Sequence, residues 1–293
     1  RNIAFVFQGN ALFPHMSIEE NLKFTVEHKK LSKDALNKLV ENILKELDIH
    51  QLKLRYPHQI SGGQTQKVAI ARAILQEAKF IILDEPFSNI DTIAKQKIRY
   101  DIINIIHKNN IPALVITHDP FEAMEMADTI TIIDNGKIIQ TDSPYNIYDM
   151  PHNYNIAGMF GLSINIKFTY DDKNKSFNTI FGNIPEDLVR KTANMKNVSQ
   201  RSPNDFKLFT RPGAIKMINK PDTFCQYYSE FIIQEIIFYG EYSEITLQSV
   251  IDKEYIITNH IYHNMENNTS LNLTKGTKVF IELNINNITL TIA

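Results

Sequence analysis

The sequence has no long apolar run. Stretches such as Phe80-Ile81-Ile82-Leu83 and Ile236-Ile237-Phe238-Tyr239 fall far short of the roughly 18 residues that suggest a membrane-spanning helix. A single cysteine, Cys225, excludes an internal disulfide and fits a reducing compartment. The formal net charge is only -2, which argues against a nucleic-acid binder working through bulk electrostatics. No basic, apolar, small-residue signal stretch opens the chain. Residue 1 is Arg1 rather than methionine, and the run Ile3-Ala4-Phe5-Val6-Phe7 follows at once, so the expectation is that Arg1 falls inside a domain. The rest is ordinary for a globular protein: 43% hydrophobic and 22% charged over 293 residues, enough for two domains.

Residues 1 to 160 read as alternating α/β. A strand is expected from Ile3 to Gln8. Ser17 with Glu20 three residues later is a capping box that starts a helix. Leu36, Leu39, Val40, Ile43, Leu44 and Leu47 recur at helical spacing within 32–47. Further helices are expected over 62–78 and 92–108. The apolar runs at 79–83 and 113–117 have the pattern of strands buried on both faces. Asn135-Gly136 between two apolar segments predicts a hairpin. After Gly161 the composition shifts to Asn, Tyr, Thr and Ile in short alternating runs, which reads as a small all-β domain of barrel type.

Four stretches carry chemistry. Ser61-Gly62-Gly63-Gln64 opens the helix at 62, where backbone N–H groups and the helix dipole favour an anion. Phe80-Ile81-Ile82-Leu83-Asp84-Glu85 ends an apolar strand in two carboxylates, at the edge of a parallel sheet where ligands bind. His118 follows the next apolar strand, and Gln8 follows the first. Taken singly, each has a bland alternative: a simple turn, a solvated acidic turn, a structural histidine, a surface glutamine.

Taken together, these segments resemble the ATP-binding subunits of ABC-type importers. Ile60 to Ala73 resembles the signature motif, which implies that Ser61, Gly62, Gly63 and Gln64 meet the γ-phosphate of an ATP held by the opposite subunit. Lys67 stands where the class often has Arg. Phe80 to Pro86 resembles a Walker B strand, implying that Asp84 holds Mg²⁺ through water and Glu85 activates the attacking water. Ser88-Asn89-Ile90-Asp91 resembles the D-loop. His118 resembles the switch histidine, and Gln8 the Q-loop glutamine that reaches Mg²⁺ and water. Leu12-Phe13-Pro14-His15 after it is similar to the importer pattern for sugars, polyamines, ferric iron or sulfate. Glu122-Ala123-Met124, Ala127-Asp128 and Asn135-Gly136-Lys137 follow that pattern too. Arg211-Pro212 resembles the Arg-Pro segment of the accessory oligonucleotide-fold-like barrel, or TOBE domain.

The resemblance implies a P-loop NTPase-type α/β domain over 1–160, with a helical subdomain at about 17–78, and a TOBE-like barrel over 162–293. It implies ATP and Mg²⁺ as cofactors, permease subunits as membrane partners, a head-to-tail homodimer, indirect work with a solute-binding protein, no nucleic acid, and residence on the cytoplasmic face of the membrane. One departure is large. Gly-x-x-x-x-Gly-Lys followed by Ser or Thr does not occur: the lone Gly-Lys, Gly136-Lys137, is followed by Ile138. The phosphate-gripping strand, loop and helix are therefore expected to precede Arg1, their absence leaving an apolar sheet face exposed and the isolated chain a poor ATP binder. The alternative function is a non-catalytic remnant or regulatory fragment. A soluble ABC protein of translation or DNA repair is disfavoured, because neither paired cassettes nor a long coiled-coil insertion is present. His260-Ile261-Tyr262-His263 and Cys225 are read as structural.

Overall fold

The computed structural model describes residues 3–9, 11–88, 90–192, 205–221, 225–262 and 273–292. It divides into two compact units, 1–128 and 129–293. The first unit runs β1 (Ile3–Val6), α1 (Ile18–Val26), α2 (Lys33–Glu46), α3 (Gly62–Leu75), β2 (Phe80–Asp84), α4 (Thr92–Lys108), β3 (Ala113–Ile116) and α5 (Pro120–Met126). The three strands form a parallel sheet in the order β1-β2-β3.

Local signals set the helix starts. Ser17 and Glu20 make the capping box expected of them, Ser17 Oγ accepting from the Glu20 N–H and Glu20 from that of Ser17. Ser32 and Asp91 cap α2 and α4 by accepting from the N–H groups of Ala35 and Ala94, without a reciprocal partner at N3. The loop after β1 is tied down by Asn21, fully buried, whose amide bonds the carbonyls of Phe13 and Met16 while its oxygen accepts from the Phe13 N–H at 2.8 Å. Arg72 of α3 completes the anchor with a 2.6 Å bond to the Ala11 carbonyl.

The strands of this sheet are covered on one face only. Ala4, Val6, Ile81 and Leu83 point into a cluster with Val68, Ile70, Ile98 and Ile102 from α3 and α4. The opposite face carries Phe5, Ile82 and Leu114 in one row, by the pairing Phe5↔Ile82 and Ile82↔Leu114. Phe5, Leu114 and Ile116 are 44%, 48% and 46% exposed. The expectation of strands buried on both faces is thus met on one side, because among the described residues the helices packed on the sheet lie on a single face. The exposed apolar face, also expected, is present.

The second unit begins with the hairpin β4 (Ile130–Asp134) and β5 (Lys137–Asp142), whose turn residues Asn135 and Gly136 both take positive φ, 47° and 73°; this is the turn type that Asn-Gly favours. Two short helices follow, α6 (Pro144–Asp149) and α7 (Tyr154–Met159). The strands are β6 (Ile164–Ile166), β7 (Phe168–Asp171), β8 (Ser176–Thr179), β9 (Gly182–Pro185), β10 (Arg190–Lys191), β11 (Phe206–Thr210), β12 (Ile215–Ile218), β13 (Tyr228–Phe238), β14 (Tyr242–Ser249), β15 (Ile256–Tyr262), β16 (Lys278–Leu283) and β17 (Ile288–Ile292). A sheet of order β10-β17-β11-β6 and one of order β12-β16-β13-β14-β15 contribute their inward rows to one core around Phe177, Leu208, Phe231, Leu247 and Ile281. Strict alternation in β14, buried at every second residue, is what a sheet with one wet face requires.

The compact units divide at 128/129, ahead of the composition change after Gly161. Side-chain anchors account for this. The guanidinium of Arg211 bonds the carbonyls of Ala157, Gly161 and Tyr148 at 2.7, 3.0 and 2.8 Å and lies over the Tyr148 ring. Arg190 Nη1 donates to both carboxylate oxygens of Asp149, at 2.9 and 2.7 Å. Residues 144–161 are thereby fastened to the strands that follow them.

Candidate functional site

Parallel strands bring their carboxyl ends to one edge, and three of the residues singled out in the sequence meet there. Gln8 follows β1, Glu85 follows β2 and His118 follows β3. The Gln8 amide donates to Glu85 Oε2 at 2.8 Å, and His118 Nδ1 lies 2.9 Å from Glu85 Oε1. Both carboxylate oxygens are therefore engaged, from opposite neighbours. The hydrogen bond from Glu85, and then its charge, raise the His118 pKa above the ordinary imidazole range. Asp84 ends β2 one residue earlier, on the uncovered face with Ile82, opposite Ile116 in the register.

The backbone at Glu85 takes φ 43°, a left-handed conformation that is costly for a non-glycine residue. The turn is held by its neighbours: the Glu85 N–H donates to the Ile116 carbonyl at 2.9 Å, and the Glu85 carbonyl accepts from the Ser88 hydroxyl at 3.0 Å. Nothing in the residue types announces this strain. It turns the carboxylate toward Gln8 and His118.

Ser61-Gly62-Gly63-Gln64 forms the start of α3. Ser61 Oγ accepts from the Gln64 N–H, and Gln64 Oε1 accepts from the Ser61 N–H. First-turn amides have no partner within their helix. The cap takes that of Gln64, so Gly62 and Gly63 supply the amides that can meet an anion. Gly63 has a second duty that the spacing did not reveal. A Cβ there would lie 2.0 Å from Ile98 Cδ1, so its missing side chain lets α3 close on α4. Four residues on, Lys67 Nζ reaches Asp101 of α4 at 2.6 Å and the Leu47 carbonyl at 3.2 Å. Asp91 caps α4 at its start through the Ala94 N–H. Asn89 lies outside the described residues.

The structure thus joins Gln8, Glu85 and His118 directly, and places Ser61 to Gln64 and Asp91 on two helices packed together. His260 lies in β15, a strand, with its ring 3.2 Å from Glu244 Oε2; His263 lies outside the described residues. Cys225 is partly buried, its thiol bonded to Glu282.

Residues 1–88 match the ABC transporter family. Over 162 residues the chain is 40% identical to the probable sulfate/thiosulfate import ATP-binding protein of Chlorella vulgaris, a match covering 55% of this chain and 69% of that protein. The chain belongs to the ABC transporter ATP-binding family. It is also 34% identical to an Fe(3+) ions import ATP-binding protein of Haemophilus influenzae, over 71% of this chain and 59% of that one. Among solved structures it is similar to part of an ABC transporter complex from Clostridium perfringens, with 30% identity, a TM-score of 0.47, and 50% and 59% of the two chains covered. The chain spans little more than half the length of several ABC proteins that it matches. The α/β unit followed by a β domain is the architecture expected of an ABC ATPase with a C-terminal β extension. Among the described residues, no helix is long and apolar enough to cross a membrane.

Proposed function

We propose that this chain is the ATP-hydrolysing part of an ABC import system, coupling ATP binding and hydrolysis to solute uptake through a membrane permease. One observation carries the reading: Glu85 is gripped on both oxygens by Gln8 and His118 at the carboxyl edge of the parallel sheet. A carboxylate so oriented is suited to take the proton of an attacking water. His118, bonded through Nδ1, keeps its other ring nitrogen for a phosphate oxygen. The family and the match to import ATP-binding proteins support the same assignment.

The residues present suit part of a nucleotide site. Asp84 and the Gln8 amide oxygen are hard donors of the kind Mg²⁺ takes, and would hold it through water. When bound, Mg²⁺ and ATP supply charge neutralisation at the phosphates and the phosphoryl group to be transferred. The α3 amides of Gly62 and Gly63, with Ser61 and Gln64, are assigned to the γ-phosphate of an ATP carried by a second copy arranged head to tail. Asp91, the N-cap of α4, is assigned to the same side of the site. The Gly-rich phosphate cradle is not among these 293 residues, so these groups account for the metal and γ-phosphate side of the site.

On this reading residues 1–160 are the ABC ATPase domain, with a helical subdomain at about 17–78, and 162–293 are a TOBE-like accessory domain. The loop from Gly9 to Met16, pinned by Asn21 and Arg72, is assigned to the permease contact. The working location is the cytoplasmic face of the membrane, with a solute-binding protein acting indirectly.

The test is ATP binding and turnover by the complete gene product together with its permease. Glu85→Gln is expected to keep ATP binding and lose on the order of 10²-fold or more in kcat. Unchanged turnover in that variant would remove Glu85 from the mechanism. A gene product that binds no nucleotide would instead favour the non-catalytic reading.

A further inference from the structure

Two charged side chains are buried among the described residues, Lys67 and Glu122. Both reach helix α4. Lys67 pairs with Asp101, while Glu122 Oε1 lies 3.3 Å from Lys95 Nζ and 4.0 Å from Arg99 Nη1. Glu122 has no part in the hydrolytic reading, yet it is only 3% exposed. A buried carboxylate is costly unless its partners are well placed, and an apolar side chain of similar size is often as stable. Such a charge suits a site that needs one geometry more than it needs stability.

The geometry it sets is that of the turn bearing His118. Glu122 Oε2 accepts from the Thr117 hydroxyl at 2.7 Å. Thr117 Oγ1 in turn accepts from the Asp119 N–H at 3.0 Å. The Asp119 carboxylate caps α5 through the N–H groups of Phe121 and Glu122. His118 itself is exposed, with 75% of its side chain open to solvent, so packing does not orient it. Its two neighbours in the chain are both fixed through Thr117 Oγ1 to one carboxylate.

We propose that Glu122 is a positioning residue for His118. Through Thr117 it fixes the turn that presents the imidazole to Glu85, and through Lys95 and Arg99 it ties that turn to α4. Helix α4 is also the element that Asp101 and Ile98 fasten to the Ser61-Gly62-Gly63 helix at Lys67 and Gly63. One helix thus joins the turn facing the chain's own Glu85 to the helix start assigned to the opposite site. This linkage rests on the roles proposed for His118 and Ser61; the contact between the Glu122 network and the His118 turn does not need nucleotide, and can be tested without it.

The test reads the His118 ring nitrogens by ¹⁵N NMR of the 293-residue chain at one fixed pH, the signal being assigned with His118→Gln. Glu85→Gln gives the position of an imidazole that has lost its partner. Glu122→Gln and Thr117→Val are expected to move the His118 signal most of the way to that position, whereas Thr117→Ser, which keeps the hydroxyl, holds it at the wild-type place. Thr117→Val leaves the ion cluster intact, so it decides the matter if Glu122→Gln fails to fold. A Thr117→Val protein with a lowered melting temperature and an unmoved His118 signal would overturn the proposal, leaving Glu122 a structural charge. In the complete gene product the same variants should lower kcat on the order of 10- to 100-fold with little change in KM. Failure of the hydrolytic reading would look different: Glu85→Gln would leave turnover unchanged while the nucleotide-free His118 signals still moved as described.

Discussion

The two compact units solve the same problem in different ways. In 129–293 the strands β14, β15 and β16 alternate, so their sheet has an inward row and a wetter outward one, and a core such as that around Phe231 and Leu247 closes on itself. In 1–128 the strands are apolar on both faces, and only the face bearing Ala4, Val6, Ile81 and Leu83 is covered. Alternating strands specify how many layers they need. Continuous apolar strands ask for a layer on each side, and here one side, with Phe5, Leu114 and Ile116, remains open. The candidate site sits at the edge of the half-covered sheet, where three strand ends converge.

The sharpest way to break this comparison is to mutate the two faces of the same sheet. Leu83→Ala on the covered face should cost about 2–5 kcal/mol. Leu114→Gln on the open face should stay within about 0.5 kcal/mol. Chemical denaturation of both variants decides it; similar losses would mean that the open face is covered in solution.

The fastening of 144–161 to the β unit is the next largest effect. Arg211→Lys keeps the charge but cannot reproduce a fork that spans the carbonyls of Ala157, Gly161 and Tyr148. A loss of about 2–3 kcal/mol is expected, from hydrogen bonds to a charged donor, with protease cutting appearing within 144–161. A stability equal to wild type would show that the segment holds its place without the guanidinium. In the first unit the corresponding device is the close approach of α3 and α4. Gly63→Ala should cost about 1–3 kcal/mol by overpacking against Ile98, and the double variant with Ile98→Val should regain most of it. Simple additivity of the two changes would mean that the helices are not in contact there.

Much of this was legible in the residues. The capping box of Ser17 and Glu20 fixed a helix start because it is local, and Asn135-Gly136 fixed its hairpin for the same reason. Gln8, Glu85 and His118 could be proposed as a set through the resemblance of their motifs to importer ATPases; that each follows an apolar run is why parallel strands then carry them to one edge. Three features were not legible. The left-handed backbone of Glu85 depends on Ile116 and Ser88, which lie on other segments or beyond a turn. The packing duty of Gly63 depends on Ile98, and the part played by Glu122 on Lys95, Arg99 and Thr117. Each is a partnership across sequence distance, in which the residue type alone gives no sign. The compact division at 128/129 belongs with them, since it follows from what Arg211 and Arg190 reach rather than from the composition change at Gly161.

The smallest effect tests the site itself. Glu85 raises the pKa of His118 in the folded state above its unfolded value. The folded protein then holds this proton more tightly, so the pair stabilises the fold fully below the unfolded imidazole value of about 6.5. That contribution is lost as pH rises through the higher folded value. The melting temperature of wild type should therefore exceed that of His118→Gln at about pH 6, and the two should converge at about pH 8.5. Because His118 is open to solvent, the difference will be small, and added salt should shrink it further. In a Glu85→Gln background the pH dependence of the difference should vanish, since the neutral amide cannot favour the imidazolium as a carboxylate does. A gap between wild type and His118→Gln that is equally large at both pH values would mean that the ring contributes by contact alone. In that case the 2.9 Å approach to Glu85 would involve a neutral imidazole, and His118 would enter the candidate site without the extra proton.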